Sequence, residues 1–115
     1  TYTSAWCGAI NNIDPDDFFG SMARAYTQIY LNIGVDQMAE KIMEYIRFYD
    51  VQGFVMHSNR SCKPYSLGQM DIMEIVRKKT GIPVLMLEAD MTDPRSFSRS
   101  QAQTRIDAFM EILKG

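Results

Sequence analysis

Within His57-Ser58-Asn59-Arg60-Ser61-Cys62-Lys63, a histidine, an arginine, a cysteine and a lysine fall inside seven residues. A thiolate attacks electrophiles or binds soft metals. A cysteine placed just before a helix and flanked by Arg60 and Lys63 is expected to ionise readily, because the helix dipole and both cations favour its charged form. A phosphatase would need a phosphate-cradling loop after the cysteine that closes on an arginine; Lys63-Pro64-Tyr65-Ser66-Leu67-Gly68 contains none, so that chemistry is excluded. A cysteine hydrolase would pair Cys62 with His57, the single histidine, but five residues along one loop is not the usual separation of nucleophile and base. A self-contained zinc or iron-sulfur site needs about four ligands, and Cys7, Cys62 and His57 are too few and badly spaced. A metal site here is therefore at most partial, completed by residues outside this sequence. The plainer alternatives are a free cysteine in a strand-end loop, a hydrogen-bonded structural histidine, and Asp90 and Asp93 as turn and cap residues.

Around this stretch the chain reads as alternating strands and helices. Tyr2-Thr3-Ser4-Ala5-Trp6-Cys7, ending at Gly8, has strand composition. Asp14-Pro15-Asp16-Asp17 predicts a helix start, with Asp14 as N-cap and Pro15 in the first turn. Phe18, Phe19, Met22, Tyr26, Ile29 and Tyr30 follow as its expected buried face, up to Gly34. A second helix is predicted from Val35 to Tyr49, with Val35, Met38, Ile42, Tyr45, Ile46 and Tyr49 facing inward. Phe54-Val55-Met56 is a buried strand, and His57 to Tyr65 is the loop that leaves its C-terminal end, where open α/β sheets place their sites. Ser66 and Gln69 have capping-box spacing, which predicts a helix from Leu67 to Thr80, closed by Gly81. Pro83 to Glu88 is a nearly continuous apolar run, as in a parallel strand buried on both faces. Ala89 to Ser96 forms a second strand-end loop. Ser98 and Gln101 repeat the capping-box spacing before a final helix whose inward stripe is Ala102, Ile106, Phe109 and Leu113. The order predicts an α/β fold with parallel strands and both polar loops at one edge.

Composition narrows the setting. The 115 residues suffice for one domain, and 46% apolar with 23% charged residues is a globular balance. Twelve basic against 14 acidic residues leave a net charge of -2, which gives no nucleic-acid or membrane-surface footprint. No apolar run approaches a membrane span, and two cysteines are far from a disulfide scaffold, so a cytoplasmic location with free or metal-binding thiols is expected. The start at Thr1, without methionine, predicts a piece of a longer protein. The nine methionines fall mostly at packing positions.

The run from His57 to Asp71, with Gly81-Ile82-Pro83, Glu88-Ala89-Asp90-Met91-Thr92-Asp93-Pro94-Arg95, Ser98, Gln101, Thr104-Arg105-Ile106 and Ala108-Phe109, resembles the C-terminal part of the 2-hydroxyacyl-CoA dehydratase subunits. That family also contains benzoyl-CoA reductase. The resemblance covers Gly53 to Leu113 closely and the first fifty residues loosely. It implies a Rossmann-like, flavodoxin-like parallel sheet with flanking helices, so that residues 1–115 form the single C-terminal α/β domain of a longer subunit. It also implies an iron-sulfur cluster, usually four-iron-four-sulfur, held by three cysteines, of which Cys62 is the last. Cys7 matches no ligand motif.

The implied enzyme is a lyase that dehydrates a 2-hydroxyacyl-CoA through a ketyl radical, after an ATP-hydrolysing iron-sulfur activator has delivered one electron. A related second subunit is the implied partner, and the domain alone is expected to be inactive. Arg60 and Lys63 would then offset cluster charge, and Asn59 and Ser61 would donate hydrogen bonds to its sulfurs. The rival expectations are a flavodoxin-like binding module without a cluster, or a benzoyl-CoA reductase-type subunit.

Overall fold

The computed structural model describes residues 13–115; the predicted strand Tyr2–Cys7, and Cys7 with it, lie outside them. Helix α1 spans Phe18–Thr27, and a short 3-10 turn at Tyr30–Asn32 leads to α2, Val35–Phe48. Strand β1, Phe54–Ser58, is followed by a one-turn helix α3, Lys63–Ser66, and by α4, Gln69–Thr80. Strand β2, Val84–Glu88, leads through a 3-10 turn at Pro94–Ser96 to α5, Arg99–Lys114.

The two strands pair in parallel, with Phe54 opposite Val84 and Ser58 opposite Glu88. Alternation along them puts Met56, Phe54, Val84 and Met86 on the face that meets the core of Met38, Ala39, Met43, Ile46, Ile72 and Val76. That core is the contact of α2 and α4 with one face of the sheet. Helix α5 packs on β2. Its C-terminal half reaches the start of β1, where a Cβ on Gly53 would lie 2.8 Å from both Phe109 Cζ and Leu113 Cδ2. The result is a small parallel sheet flanked by helices. The residues of β2 from Val84 to Leu87 are half-buried, not enclosed on both faces as the apolar run predicts.

Three expectations are corrected. Helix α1 begins at Phe18, three residues later than the Asp14 cap predicts, because the Asp14 side chain accepts the Asp16 amide at 2.9 Å and folds residues 14–17 into a turn. It also ends at Thr27 instead of reaching Gly34, and its buried side is Ser21 and Ala25, while Phe18, Phe19 and Tyr26 are exposed. In α2 the inward stripe is rotated towards Ala39 and Met43, leaving Tyr45 and Tyr49 outside. Ala39, Ile72 and Val76 are 0–1% exposed, so α2 and α4 meet most closely at a small side chain. Third, α4 starts at Gln69, not Leu67: Leu67 is extended, and Gly68 at φ 80° takes the N-cap position that the capping box assigns to Ser66. Gly81, at φ 74°, closes α4 as expected, its amide bonded to the Arg77 carbonyl at 3.0 Å.

Candidate functional site

Parallel pairing brings the loops that leave β1 and β2 side by side. The ladder continues one step beyond the strands, with the Ala89 amide donating to the Ser58 carbonyl at 3.1 Å. His57 and Ser58 belong to β1, so the strand outlasts the expected loop start by two residues. The His57 ring reaches across to the Ala89 carbonyl through Nε2. A carbonyl only accepts, so Nε2 carries the proton. His57 is thus a strap between the strands, and among the described residues no hydrogen bond joins it to Cys62. Gln69, expected to close a capping box, instead donates its side-chain amide to the His57 carbonyl at 2.8 Å, which ties the start of α4 to the end of β1.

The three residues before the cysteine are each tied to the neighbouring strand or its loop, Arg60 to the end of β2 and Asn59 and Ser61 to the loop that follows. Asn59, buried, accepts the Met91 amide on its side-chain oxygen at 3.4 Å. Arg60 Nη2 meets Glu88 Oε2 at 2.7 Å. Ser61 gives both its amide, at 2.8 Å, and its hydroxyl to Asp90 Oδ2. The other oxygen of Asp90 accepts the Thr92 amide and hydroxyl and the Asp93 amide at 2.7 to 3.2 Å. Donors therefore surround this carboxylate on both oxygens. They hold its pKa well below the ordinary value of 3.8, with the Ser61 hydroxyl as the largest cause and the Thr92 bonds next. Hydrogen bonding and charge from Arg60 likewise lower Glu88, and Glu88 raises Arg60 in return. Asp93, by contrast, serves its own loop, capping the 3-10 turn and pairing with Arg95.

Cys62 stands where these ties end. Its amide donates to the Asn59 carbonyl at 3.0 Å, and its carbonyl accepts the Tyr65 and Ser66 amides at 3.1 and 2.9 Å. Its backbone is fully used, and its thiol is free and half-buried. Lys63 is exposed in the first turn of α3. Of the residues expected to serve a cluster, the structure thus brings Asn59, Arg60, Ser61, Cys62 and Lys63 onto one loop, and it ties the side chains of Asn59 and Ser61 to the neighbouring loop and that of Arg60 to the end of β2. Among the described residues no group of three or more His, Cys, Asp or Glu side chains is placed to hold a metal ion, so the donor set here amounts to one thiol. That fits a single ligand of a shared metal centre and nothing larger.

Asp90 is the residue that sequence reasoning undervalued, treating it as a turn residue. The available signal was its place two residues beyond strand β2, where the parallel register sets it level with Arg60 and beside Ser61. On the far side of Glu88 an open groove of about 550 Å³ runs between β2 and the first turns of α5, lined by Leu87, Ser98, Gln101, Ala102 and Arg105. The described residues contain no helix long and apolar enough to cross a membrane.

Residues 1–113 match the family described as 2-hydroxyglutaryl-CoA dehydratase, D-component. The chain is 38% identical over 99 residues to the lactoyl-CoA dehydratase subunit alpha of Anaerotignum propionicum, a match covering 86% of this chain and 24% of that protein. It is 31% identical over 100 residues to a benzoyl-CoA reductase subunit of Thauera aromatica, covering 87% and 23%. With the (R)-2-hydroxyglutaryl-CoA dehydratase subunit alpha of Acidaminococcus fermentans the identity is 29% over 113 residues, covering 98% and 22%. The chain spans about a quarter of the length of the curated relatives it matches. By this family match over nearly its whole length, the chain belongs to the 2-hydroxyglutaryl-CoA dehydratase D-component family.

Proposed function

We propose that this chain is the Rossmann-like, flavodoxin-like C-terminal lobe of a 2-hydroxyacyl-CoA dehydratase subunit, and that Cys62 is one thiolate ligand of a four-iron-four-sulfur cluster completed by cysteines elsewhere in the subunit. The observation that carries the reading is the free, half-buried thiol of Cys62, on a turn anchored at the C-terminal edge of the parallel strands. A ligand must be held still to favour one cluster geometry, and the bonds from Asn59 and Ser61 to the second loop and from Arg60 to the end of β2 supply that restraint. When bound, the cluster supplies one-electron chemistry, which suits the removal of water from an acyl-CoA whose β proton is not acidic enough for simple elimination.

This chain's own residues have simpler tasks. Cys62 contributes the thiolate. Lys63, exposed in the turn that follows, offers positive charge near it, while the positive charge of Arg60 is largely offset by Glu88. Ser61 and Asn59 hold the backbone through which Cys62 is presented. The whole enzyme would work in the cytoplasm with a related second subunit and an ATP-hydrolysing iron-sulfur activator, on an acyl-CoA substrate. The relatedness to a benzoyl-CoA reductase favours one second reading, a ring-reducing subunit that uses the same ligand.

The test is anaerobic iron and sulfide analysis, with electron paramagnetic resonance, of the full-length subunit and its Cys62→Ala variant. Loss or conversion of the cluster in the variant is the expected result. An unchanged cluster would remove Cys62 from the ligand set, and a cluster-free wild-type protein would favour a binding module of the same fold. Turnover of a 2-hydroxyacyl-CoA against an aromatic acyl-CoA separates dehydration from ring reduction.

A further inference from the structure

We infer that Asp90 is the positioning residue for Cys62, holding the cysteine's turn from the neighbouring strand's loop so that the thiol is presented in one geometry. The inference rests on the reading of Cys62 as a cluster ligand and adds to it a residue outside the ligand's own loop. Asp90 belongs to the loop after β2, 28 residues beyond Cys62 in sequence, and it reaches the residue directly before the cysteine. Each of its oxygens has a separate task. Oδ2 takes the Ser61 amide and hydroxyl, while Oδ1 takes the Thr92 amide and hydroxyl and the Asp93 amide. Thr92 Oγ1 also lies 3.1 Å from Ser61 Oγ, so the two hydroxyls that donate to Asp90 sit side by side across the two loops.

All these partners can donate, and only an ionised carboxylate accepts on both sides at once. An asparagine in its place would turn an NH₂ group towards one of the two donor sets, leaving either the Ser61 amide or the Thr92 and Asp93 amides facing another donor. The backbone bonds of Cys62 to Asn59, Tyr65 and Ser66 shape the turn internally, but they do not fix it against the neighbouring strand. Helix α3 is a single turn, and the remaining ties, Arg60 to Glu88 and Asn59 to Met91, are respectively an exposed ion pair and a long bond at 3.4 Å. Asp90 is thus the anchor whose loss frees Ser61 and, through the peptide bond, Cys62.

The experiment uses the full-length subunit with its cluster, purified anaerobically as wild type, Asp90→Asn, Asp93→Ala and Cys62→Ala. Two quantities are read: the rate of iron loss to a chelator, and the paramagnetic spectrum with the midpoint potential of the reduced cluster. Asp93→Ala breaks the cap and the Arg95 pair of the same loop without touching Ser61, so it controls for general loosening of that loop. Asp90→Asn is expected to lose iron about tenfold faster, the scale seen when an outer partner of a metal ligand is removed. Its spectrum and potential should also shift, while Asp93→Ala stays close to wild type.

If Asp90→Asn and wild type release iron at the same rate with the same spectrum, and Cys62→Ala has lost the cluster, the positioning role is overturned and the ligand reading stands. If Cys62→Ala keeps an unaltered cluster, the ligand reading itself falls and the positioning role with it. Equal effects of Asp90→Asn and Asp93→Ala on both readouts would also overturn the proposal, by reducing it to loop stability. Should Asp90→Asn fail to fold, Ser61→Ala and Ser61→Thr decide: faster iron loss in the first, restored in the second, supports the role, and wild-type behaviour of both overturns it.

Discussion

Around Ile72 and Val76, apolar side chains of α2, α4 and both strands close on one another, and the fully buried positions contain no polar group. At Ser61 and Asp90, some of the same secondary structure ends in exposed loops joined by hydrogen bonds and one ion pair. The first region depends on area removed from water and is indifferent to direction and to pH. The second gains little from burial, but its bonds fix where each atom stands, and they require a carboxylate to be ionised. The contrast teaches a division of labour. The packed face sets the parallel register, the register sets two loops level, and only then can Asp90 on one loop reach Ser61, the neighbour of Cys62, on the other.

That contrast can be broken from the packed side first. Truncating Ile72 to alanine should cost about 2–5 kcal/mol of unfolding free energy, the range for emptying a fully buried aliphatic site. Denaturant titration of the full-length protein measures it, and a near-neutral result would mean that α4 is not packed as described. Next in size is Gly68→Ala. Its φ of 80° alone imposes about 1–2 kcal/mol on a residue with a Cβ, and that Cβ would sit 2.7 Å from Val35 Cγ2. Gly81→Ala shares the positive φ but meets nothing within 4 Å, so it should cost less than Gly68→Ala in the same titration.

On the polar side the difference shows in the pH dependence. The carboxyl of Asp90 is held below its ordinary 3.8, so the folded state favours the ionised form. Its contribution is present above that value and is lost as pH falls through the lower folded value. Thermal midpoints measured from pH 6 down to pH 3 should therefore fall less steeply in Asp90→Asn than in wild type, whereas Ile72→Ala should shift the curve without changing its acid slope. The smallest effect lies at the other end of the scale. Burial, with a lesser contribution from Tyr65, pushes Tyr30 up from 10.0 to about 12. The folded state thus favours the neutral phenol, and stability from this source is full below pH 10 and lost as pH rises towards 12. Tyr30→Phe should flatten the alkaline limb of the same curve.

The two described strands and helices α2, α4 and α5 were legible as elements because their patterns are local, an apolar run, a three-to-four spacing, a glycine stop; the inward stripe of α5 was legible only in part, since Phe109 is buried but Ile106 is exposed. The loop after β1 stood out in the sequence as a candidate site because Arg60, Cys62 and Lys63 gather there, just beyond His57 at the end of the strand. What the pattern could not carry was competition from distant partners. Ser66 and Gln69 have the spacing of a capping box, yet Gln69 bonds the His57 carbonyl instead, and Gly68 starts the helix. Asp14 reads as a cap until its own turn with Asp16 uses the carboxylate. The link from Asp90 to Ser61 depends on strand register, which no single stretch of sequence contains.

If Cys62 is a cluster ligand as proposed, its thiol is bound to iron in the working subunit. Mass-spectrometric alkylation of the anaerobic full-length protein tests it directly, comparing Cys62 before and after chelation of iron. The expected result is a thiol blocked while the cluster is present and alkylated once iron is removed. Equal labelling of Cys62 in both states, with iron loss verified, would contradict it.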